Sequence, residues 1–227
     1  MTTVAIVYQS NHGHTAAVAE ALGRGAMKAA DTEMHLLRVH KDQIDAEGRW
    51  HDPAVMAVLD RADAILFGAP TYMGSAGGLF KLFMEATFDL WFEQRWKDKV
   101  ASGFANSASQ HGDKLAVLFQ FTIFAAQHGM IWVPVGDPPG NNWSGGSRND
   151  VNRLGSWLGL MSQSNSDSNP PGPSAGDLLT AERHGERVAR IAARWASGAG
   201  YQTARIGERR ARELNAVGRE AWIAAGV

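Results

Sequence analysis

The stretch that decides the fold is Val4-Ala5-Ile6-Val7-Tyr8, followed after one residue by Ser10-Asn11-His12-Gly13-His14-Thr15. The first five residues form an apolar run of the kind found in strands that are buried on both faces. The next six are small or polar, and an alanine-rich helical pattern begins at Thr15. A strand that breaks through such a loop into a helix presents N–H groups, hydroxyls and the positive helix terminus to one point. The stretch therefore predicts an anion site, best suited to a phosphate.

The composition of the chain limits the kinds of ligand and partner that this loop can bind. The chain has 227 residues, of which 44% are hydrophobic and 20% charged, so it is long enough for one large core with an appended segment. A net charge of −1 provides neither a basic field for nucleic acid or anionic lipid nor the acidic surface of a small electron carrier. The lack of cysteine excludes disulfides, thiol nucleophiles and cysteine-ligated iron–sulfur clusters. We therefore expect small molecules as partners, with no nucleic acid and no membrane.

The N-terminus leads directly into the first strand, without the apolar core of a signal peptide. No apolar run reaches the roughly 18 residues that a membrane-spanning helix needs. The cytoplasm is the expected location.

Apolar β-type runs alternate with helical patterns along the chain, which predicts βαβ units and a parallel sheet. The strands are predicted at about residues 3–8, 33–38, 64–68, 99–105 and 130–135, and the helices at about 15–29, 53–60, 79–90, 113–128 and 177–195. We expect an α/β, doubly wound five-stranded parallel sheet, for which we take the strand order 2-1-3-4-5. Residues 1–196 would form this domain, and residues 197–227 a charged helical tail.

Small polar residues follow three of the predicted strands, in loops at residues 10–15, 69–78 and 106–112. In the order 2-1-3-4-5 these strands are neighbours, so their loops meet at one edge of the sheet, where open α/β sheets bind ligands. The first loop can hold a phosphate through backbone N–H groups and the hydroxyls of Ser10 and Thr15, so it needs no lysine or arginine near it. The rings of Tyr72 and Trp91 suit a flat heterocycle. The Gly-, Asn-, Ser- and Pro-rich segment 136–173 is expected to be an ordered excursion over this site.

Four stretches together resemble the flavodoxin superfamily, namely residues 3–15, 67–74, 101–112 and 128–136. They are most similar to its NAD(P)H:quinone oxidoreductase branch, the tryptophan-repressor-binding-protein-like flavoproteins. The resemblance implies a flavodoxin-like sheet in the order 2-1-3-4-5, with bound FMN and with NAD(P)H as co-substrate. It also implies two-electron reduction of a quinone-like acceptor and a homo-oligomer, dimer or tetramer, with active sites at subunit junctions.

The resemblance also implies site residues by position. The ribityl phosphate would be held by Ser10, Asn11, His12, Gly13, His14 and Thr15; the flavin would be flanked by Pro70, Thr71, Tyr72, Met73 and Gly74; its pyrimidine side would be cradled by Asn106, Ser107, Ala108, Ser109, Gln110 and Gly112. His128 would contact the flavin and Trp91 would line the substrate cavity, and these two are the catalytic candidates. No metal is expected, since His12 and His14 lack a third ligand nearby.

The expected mechanism is a ping-pong cycle in which NAD(P)H and then a quinone use the same place. His128, with a pKa near 6.5, would donate a proton or hydrogen bond to a quinone oxygen. Alternatively, His128 caps a helix C-terminus, and Trp91 and Trp96 are core or interface anchors. The competing functions are a flavodoxin-type electron carrier, a reductase of nitro, azo or chromate compounds, and a protein-binding module without a cofactor.

Overall fold

A computed structural model describes residues 1–198. The strands are β1 (Thr2–Gln9), β2 (Thr32–Val39), β3 (Ala64–Tyr72), β4 (Ser75–Ala76), β5 (Val100–Ser107), β6 (Ile131–Trp132) and β7 (Leu160–Gln163). The helices are α1 (His14–Ala26), α2 (Pro53–Arg61), α3 (Gly78–Glu85), α4 (Phe88–Phe92), α5 (Lys114–Gln127) and α6 (Ala175–Ala196), with a 3-10 turn at Lys41–Gln43. The predicted tail, residues 197–227, lies almost wholly outside the described residues.

The parallel sheet runs in the order β2-β1-β3-β5-β6. Because β5 and β6 are the fourth and fifth strands of the prediction, this confirms the expected order 2-1-3-4-5. Successive residues of β1 face opposite layers: Val4 and Ile6 pack with α1 and α6, while Ala5 and Val7 pack with α2, α3 and α5. A strand covered on both faces must be apolar throughout, which explains the unbroken run that opens the chain.

The last position of the sheet is shared by two segments. β6 pairs only with the start of β5, at Val100 and Ala101, whereas β7 pairs with its end, from Phe104 to Ser107. The predicted fifth strand, residues 130–135, is therefore too long. Pro134 has no N–H to donate to a ladder, and the place beyond it is taken by β7. The excursion 136–173 is thus tied into the sheet through β7.

The predicted helix at residues 79–90 is two helices, α3 and α4. The break lies at Thr87, whose hydroxyl donates to the Met84 carbonyl (2.7 Å) and lies 3.0 Å from His128 Nε2. Thr87 is thereby drawn toward the end of α5, and the axis of α3 does not continue. Helical spacing from residue 79 predicts that Ala86 faces inward, but it is exposed, and Trp91 lies on α4.

The sequence of α5 is apolar on most faces, which predicts a largely buried helix. One stripe is not buried: Leu115, Phe119 and Ile123 are 45%, 53% and 59% exposed. A helix covering a sheet can bury only the face toward it, so this stripe finds no partner among residues 1–198.

Helices α1 and α6 cross at two glycines. A Cβ added at Gly185 would lie 2.0 Å from the Leu22 carbonyl oxygen, and one at Gly25 would lie 1.8 Å from that of Glu182. Only residues without a side chain allow the backbones to approach so closely. Among residues 1–198, no helix combines the length and apolar character that crossing a bilayer requires.

Candidate functional site

A cavity of about 630 Å³ opens at the carboxyl edge of the sheet, within the usual size range of small-molecule sites. The three predicted loops converge on it, as expected from the strand order. It is lined by Ser10, Asn11, His12, His14, Thr15, Pro70, Thr71, Tyr72, Met73, Gly74, Asn106, Ser107, Ala108, Ser109, Gly112, Asp113, Ser164 and Ser166. Most of the predicted site residues are thus brought together, and Ser164, Ser166 and Asp113 join them.

The first loop offers a row of free donors. None of the backbone N–H groups of residues 11–15 has a hydrogen-bond partner within the described chain. Gly13, in a left-handed conformation (φ 86°), precedes α1 and gives it no side-chain cap. Ser10 accepts a hydrogen bond from the Ala16 N–H (3.2 Å) and keeps its own hydroxyl proton available. Free N–H groups at the positive end of a 13-residue helix suit a phosphate.

A cation lies beside this loop, although the loop's own donors do not require one. The parallel register places Arg38, at the end of β2, opposite Tyr8. Its guanidinium donates to the carbonyl of Ser10. The arginine therefore holds the loop by its backbone and adds positive charge beside it.

Two buried polar atoms at the cavity lack a protein partner. Thr71 Oγ1 and His14 Nδ1 have no hydrogen bond to any described residue. Leaving such atoms unsatisfied costs about 1–3 kcal/mol each, so their presence beside a cavity points to a polar ligand. Tyr72 and Met73, at the tip of the β3–β4 hairpin, are exposed at the rim.

Three carbonyl groups of the third loop accept hydrogen bonds from side chains that lie outside the cavity. Lys114 donates to the carbonyl oxygens of Ser109 (3.1 Å) and Gln110 (2.8 Å), and Gln163 donates to that of Ala108 (2.9 Å). Neither donor lines the cavity. The N–H groups of residues 108–112 have no partner in the described part of the chain. The third loop therefore provides a ligand with a second row of free N–H donors.

Gly112 closes the third loop. Its φ is +54°, and a Cβ there would lie 2.1 Å from Ser107 Oγ. Gln110 faces away from the cavity through its carbonyl bond and does not line it.

The excursion supplies one wall of the cavity, through serines that the sequence analysis did not single out. Asn106 Oδ1 accepts hydrogen bonds from Ser162 (2.9 Å) and Ser164 (3.0 Å), and Ser164 and Ser166 continue along the cavity. Pro171 lies against the first loop, 3.0 Å from where Gly13 would carry a Cβ. The alternating serines 162, 164 and 166 were the available signal, since alternate residues of an extended segment share a face.

His128 and Trp91 do not reach this cavity within one chain. They line a second one, of about 530 Å³, together with Met84, Phe88 and Phe124. His128 packs against the rings of Trp96 (4.6 Å) and Phe124 (4.7 Å). Burial lowers the pKa of His128 to about 4, so the expected titration near 6.5 is wrong and the ring is neutral at pH 7. In residues 1–198 no three histidine, aspartate or glutamate side chains are grouped so that they could hold a metal ion.

The donor set fits FMN. One end of the cavity carries free N–H groups and hydroxyls for a phosphate, and the other carries the N–H row of the third loop for the oxygen and nitrogen acceptors of a heterocycle. The unpartnered Thr71 hydroxyl and His14 nitrogen lie beside the same space.

Comparison with known proteins agrees with the fold. Residues 1–143 match the family described as NADPH-dependent FMN reductase. The chain is 44% identical over 191 residues to Flavodoxin FldP of Pseudomonas aeruginosa, covering 84% of this chain and 97% of that protein. It is 35% identical to an NAD(P)H dehydrogenase (quinone) of Geotalea uraniireducens, covering 85% and 98% of the two.

Among solved structures, it is similar to a WrbA-like flavodoxin from Agrobacterium tumefaciens, with a TM-score of 0.63 and 38% identity over 86% of this chain and 99% of that one. These matches confirm the resemblance that the sequence motifs indicated. The chain belongs to the NADPH-dependent FMN reductase family, in the WrbA-like branch of the flavodoxin superfamily.

Proposed function

We propose that the chain binds FMN in the three-loop cavity and transfers electrons from NAD(P)H to quinone-type acceptors. The observation that carries this proposal is the pair of free N–H rows, residues 11–15 and 108–112, on loops that line one cavity. A ligand with a phosphate at one end and a polar heterocycle at the other would satisfy both rows. The family match and the relative named NAD(P)H dehydrogenase (quinone) support the same function.

Each loop has a separate task in this proposal. The N–H groups of residues 11–15, with the hydroxyls of Ser10 and Thr15, hold the phosphate. The Thr71 hydroxyl forms its hydrogen bond with the ligand. Tyr72 and Met73 flank the ring at the open rim. The third loop donates to the pyrimidine edge. Bound FMN supplies the two-electron redox chemistry.

The protein contributes charge stabilisation and access. N–H donors fixed at the pyrimidine edge stabilise negative charge that develops there, without reorganisation. In this proposal NAD(P)H and the acceptor would take the same place in turn, beside the exposed rim residues Tyr72 and Met73. This arrangement predicts ping-pong kinetics.

We also propose that Trp91 and His128 complete the substrate wall from a neighbouring subunit of a homo-oligomer. The apolar stripe Leu115, Phe119 and Ile123 on α5 supports such an assembly, because it is long and regular and has no partner among residues 1–198. Thr87 gives its proton to the Met84 carbonyl, so His128 donates from Nε2 to Thr87 and its Nδ1 is left as an acceptor. His128 therefore acts as a positioning contact, because its Nδ1 is buried and has no hydrogen-bond partner among the described residues. A cytoplasmic location stays a prediction.

The test is the flavin content and turnover of the purified protein. We expect FMN near one per chain after denaturation, and NAD(P)H-dependent reduction of benzoquinone with parallel double-reciprocal plots. Ser10→Ala with Thr15→Ala should weaken FMN binding at least about tenfold, because two hydrogen bonds to a charged group are lost.

A matched pair away from the cavity, Thr32→Ala with Ser147→Ala, should leave FMN binding unchanged. A colourless protein that does not bind added FMN would refute the proposal.

A second candidate is an electron carrier, since the relative at 44% identity is named a flavodoxin. FMN bound without NAD(P)H:quinone turnover would favour it. Reductases of nitro or azo compounds would use the same cavity, and steady-state kinetics with each acceptor class separate them from a quinone reductase.

A further inference from the structure

Lys114 is a fully buried lysine in the first turn of α5. Its Nζ donates to Ser107 Oγ (2.7 Å) and to the carbonyl oxygens of Ser109 and Gln110. No described carboxylate pairs with it: Asp177, whose charge raises the pKa of Lys114, is bound by Arg153 through two hydrogen bonds of 2.8 Å. A buried cation without a carboxylate partner is costly, and proteins keep such groups where they serve a site.

The three hydrogen bonds fix the direction of the third loop. A peptide unit whose carbonyl oxygen is held on one side presents the following N–H on the other. With the carbonyls of Ser109 and Gln110 held by Lys114, the N–H groups of residues 110 and 111 are turned away from the ammonium. Burial lowers the pKa of Lys114 to about 8, so the positive charge is retained at pH 7 directly behind this N–H row.

We propose that Lys114 is a positioning residue for the flavin: it fixes the N–H row of the third loop and places a positive charge behind the pyrimidine edge, which raises the reduction potential of the bound cofactor. The inference rests on the proposed function and deepens it. A charge behind this edge stabilises the reduced, more negative cofactor relative to the oxidised one, whereas a merely structural lysine would not change the potential.

The chain offers a matched control in Lys99. Its Nζ also donates to two backbone carbonyls, those of Asp60 (2.8 Å) and Ala62 (2.5 Å), and burial lowers its pKa as well. Lys99 precedes β5, at the amino edge of the sheet, whereas Lys114 follows β5 at the carboxyl edge. Removing Lys99 therefore removes a similar, partly buried clamp far from the cavity.

The experiment compares Lys114→Met and Lys99→Met in the full chain with FMN. FMN affinity is measured by quenching of flavin fluorescence, the midpoint potential by photoreduction against reference dyes, and Tm by thermal unfolding. We expect Lys114→Met to weaken FMN binding by about tenfold, equal to about 1.4 kcal/mol, and to shift the midpoint potential to more negative values. Lys99→Met should lower Tm and leave both flavin properties unchanged.

Lys114→Gln keeps a neutral donor for the carbonyls, and it replaces the methionine variant if that variant does not fold. It should retain most of the affinity and still show the negative shift in potential. Unchanged FMN affinity and midpoint potential in a Lys114 variant would overturn the inference about Lys114, while the proposed function stands. A loss of affinity without a shift in potential would also overturn the inference about Lys114. Wild-type protein that binds no FMN would remove the proposed function and this inference together.

Discussion

Two buried histidines, His128 and His184, are neutral in the folded protein. Burial lowers the pKa of each to about 4. His184 Nε2 lies 2.7 Å from Ser102 Oγ, whose proton goes to the Val133 carbonyl, so this histidine also donates from Nε2. Protonating either ring would place a charge in the core without a carboxylate partner.

This predicts acid sensitivity. Between pH 6.5 and 4 the unfolded chain binds protons at these two positions and the folded chain does not, so the free energy of unfolding falls as pH falls through that window. Each histidine contributes a slope of about 1.4 kcal/mol per pH unit. His128→Gln or His184→Gln should each remove one such contribution, measured by urea unfolding at pH 7 and pH 5.

The exposed His12 provides the control, and His12→Gln should leave the slope as it is. Slopes equal to wild type in both core variants would contradict the prediction.

At the residue scale, the sequence motifs predicted most of the residues that line the cavity. They did not predict the residues that hold the third loop from outside the cavity. Ser10 to Thr15 and Thr71 were predicted because loops at strand ends carry a local signature. Lys114 and Gln163 were missed, because a helical lysine and a loop glutamine look like surface residues until the fold turns them toward a backbone carbonyl. His128 was predicted with the wrong pKa, since burial is set by Trp96 and Phe124 and not by neighbours in sequence.

The crossing of α1 and α6 depends on glycine at Gly25 and Gly185. Alanine is favoured over glycine in a helix by about 1 kcal/mol, so Gly185→Ala would stabilise α6 in isolation. In the protein the added Cβ would lie 2.0 Å from a backbone oxygen of α1, and the helices must separate. We expect a net loss of about 1–3 kcal/mol, seen as a lower Tm in thermal unfolding.

Gly78→Ala is the matched control, because nothing lies within 4 Å of a Cβ at that helix position. A Gly185→Ala protein as stable as Gly78→Ala would show that the helices do not pack as described.

Element boundaries were predictable where the local pattern and the tertiary contacts agree. The order of the strands and most helix positions follow from periodicity alone. The break between α3 and α4 does not, because it depends on Thr87 reaching His128 across the fold. The split of the last sheet position between β6 and β7 was missed for a similar reason, since only the neighbouring β5 shows which segment is paired.

At the scale of the whole molecule, the stripe on α5 predicts self-association. Leu115, Phe119 and Ile123 recur every four residues and form one continuous exposed face. Phe119→Glu should shift the protein toward monomer, because a carboxylate cannot be buried unpaired in an apolar interface. The measurement is size-exclusion chromatography with light scattering over a range of concentrations.

Leu179→Glu, at an equally exposed leucine on α6, should not change the mass. A wild-type protein that is monomeric at all concentrations would rule out the interface.

The shared last position of the sheet also bears on how ligand affinity arises. The wall that carries Ser164 and Ser166 leaves directly from β7, whose ladder with β5 already fixes residues 160–163. Ordering a free loop on binding would cost about 1–2 kcal/mol of backbone entropy per residue. Here much of that entropy is lost during folding, before any ligand arrives. The excursion therefore works as a preorganised surface, and the contacts it makes are not offset by the cost of ordering it.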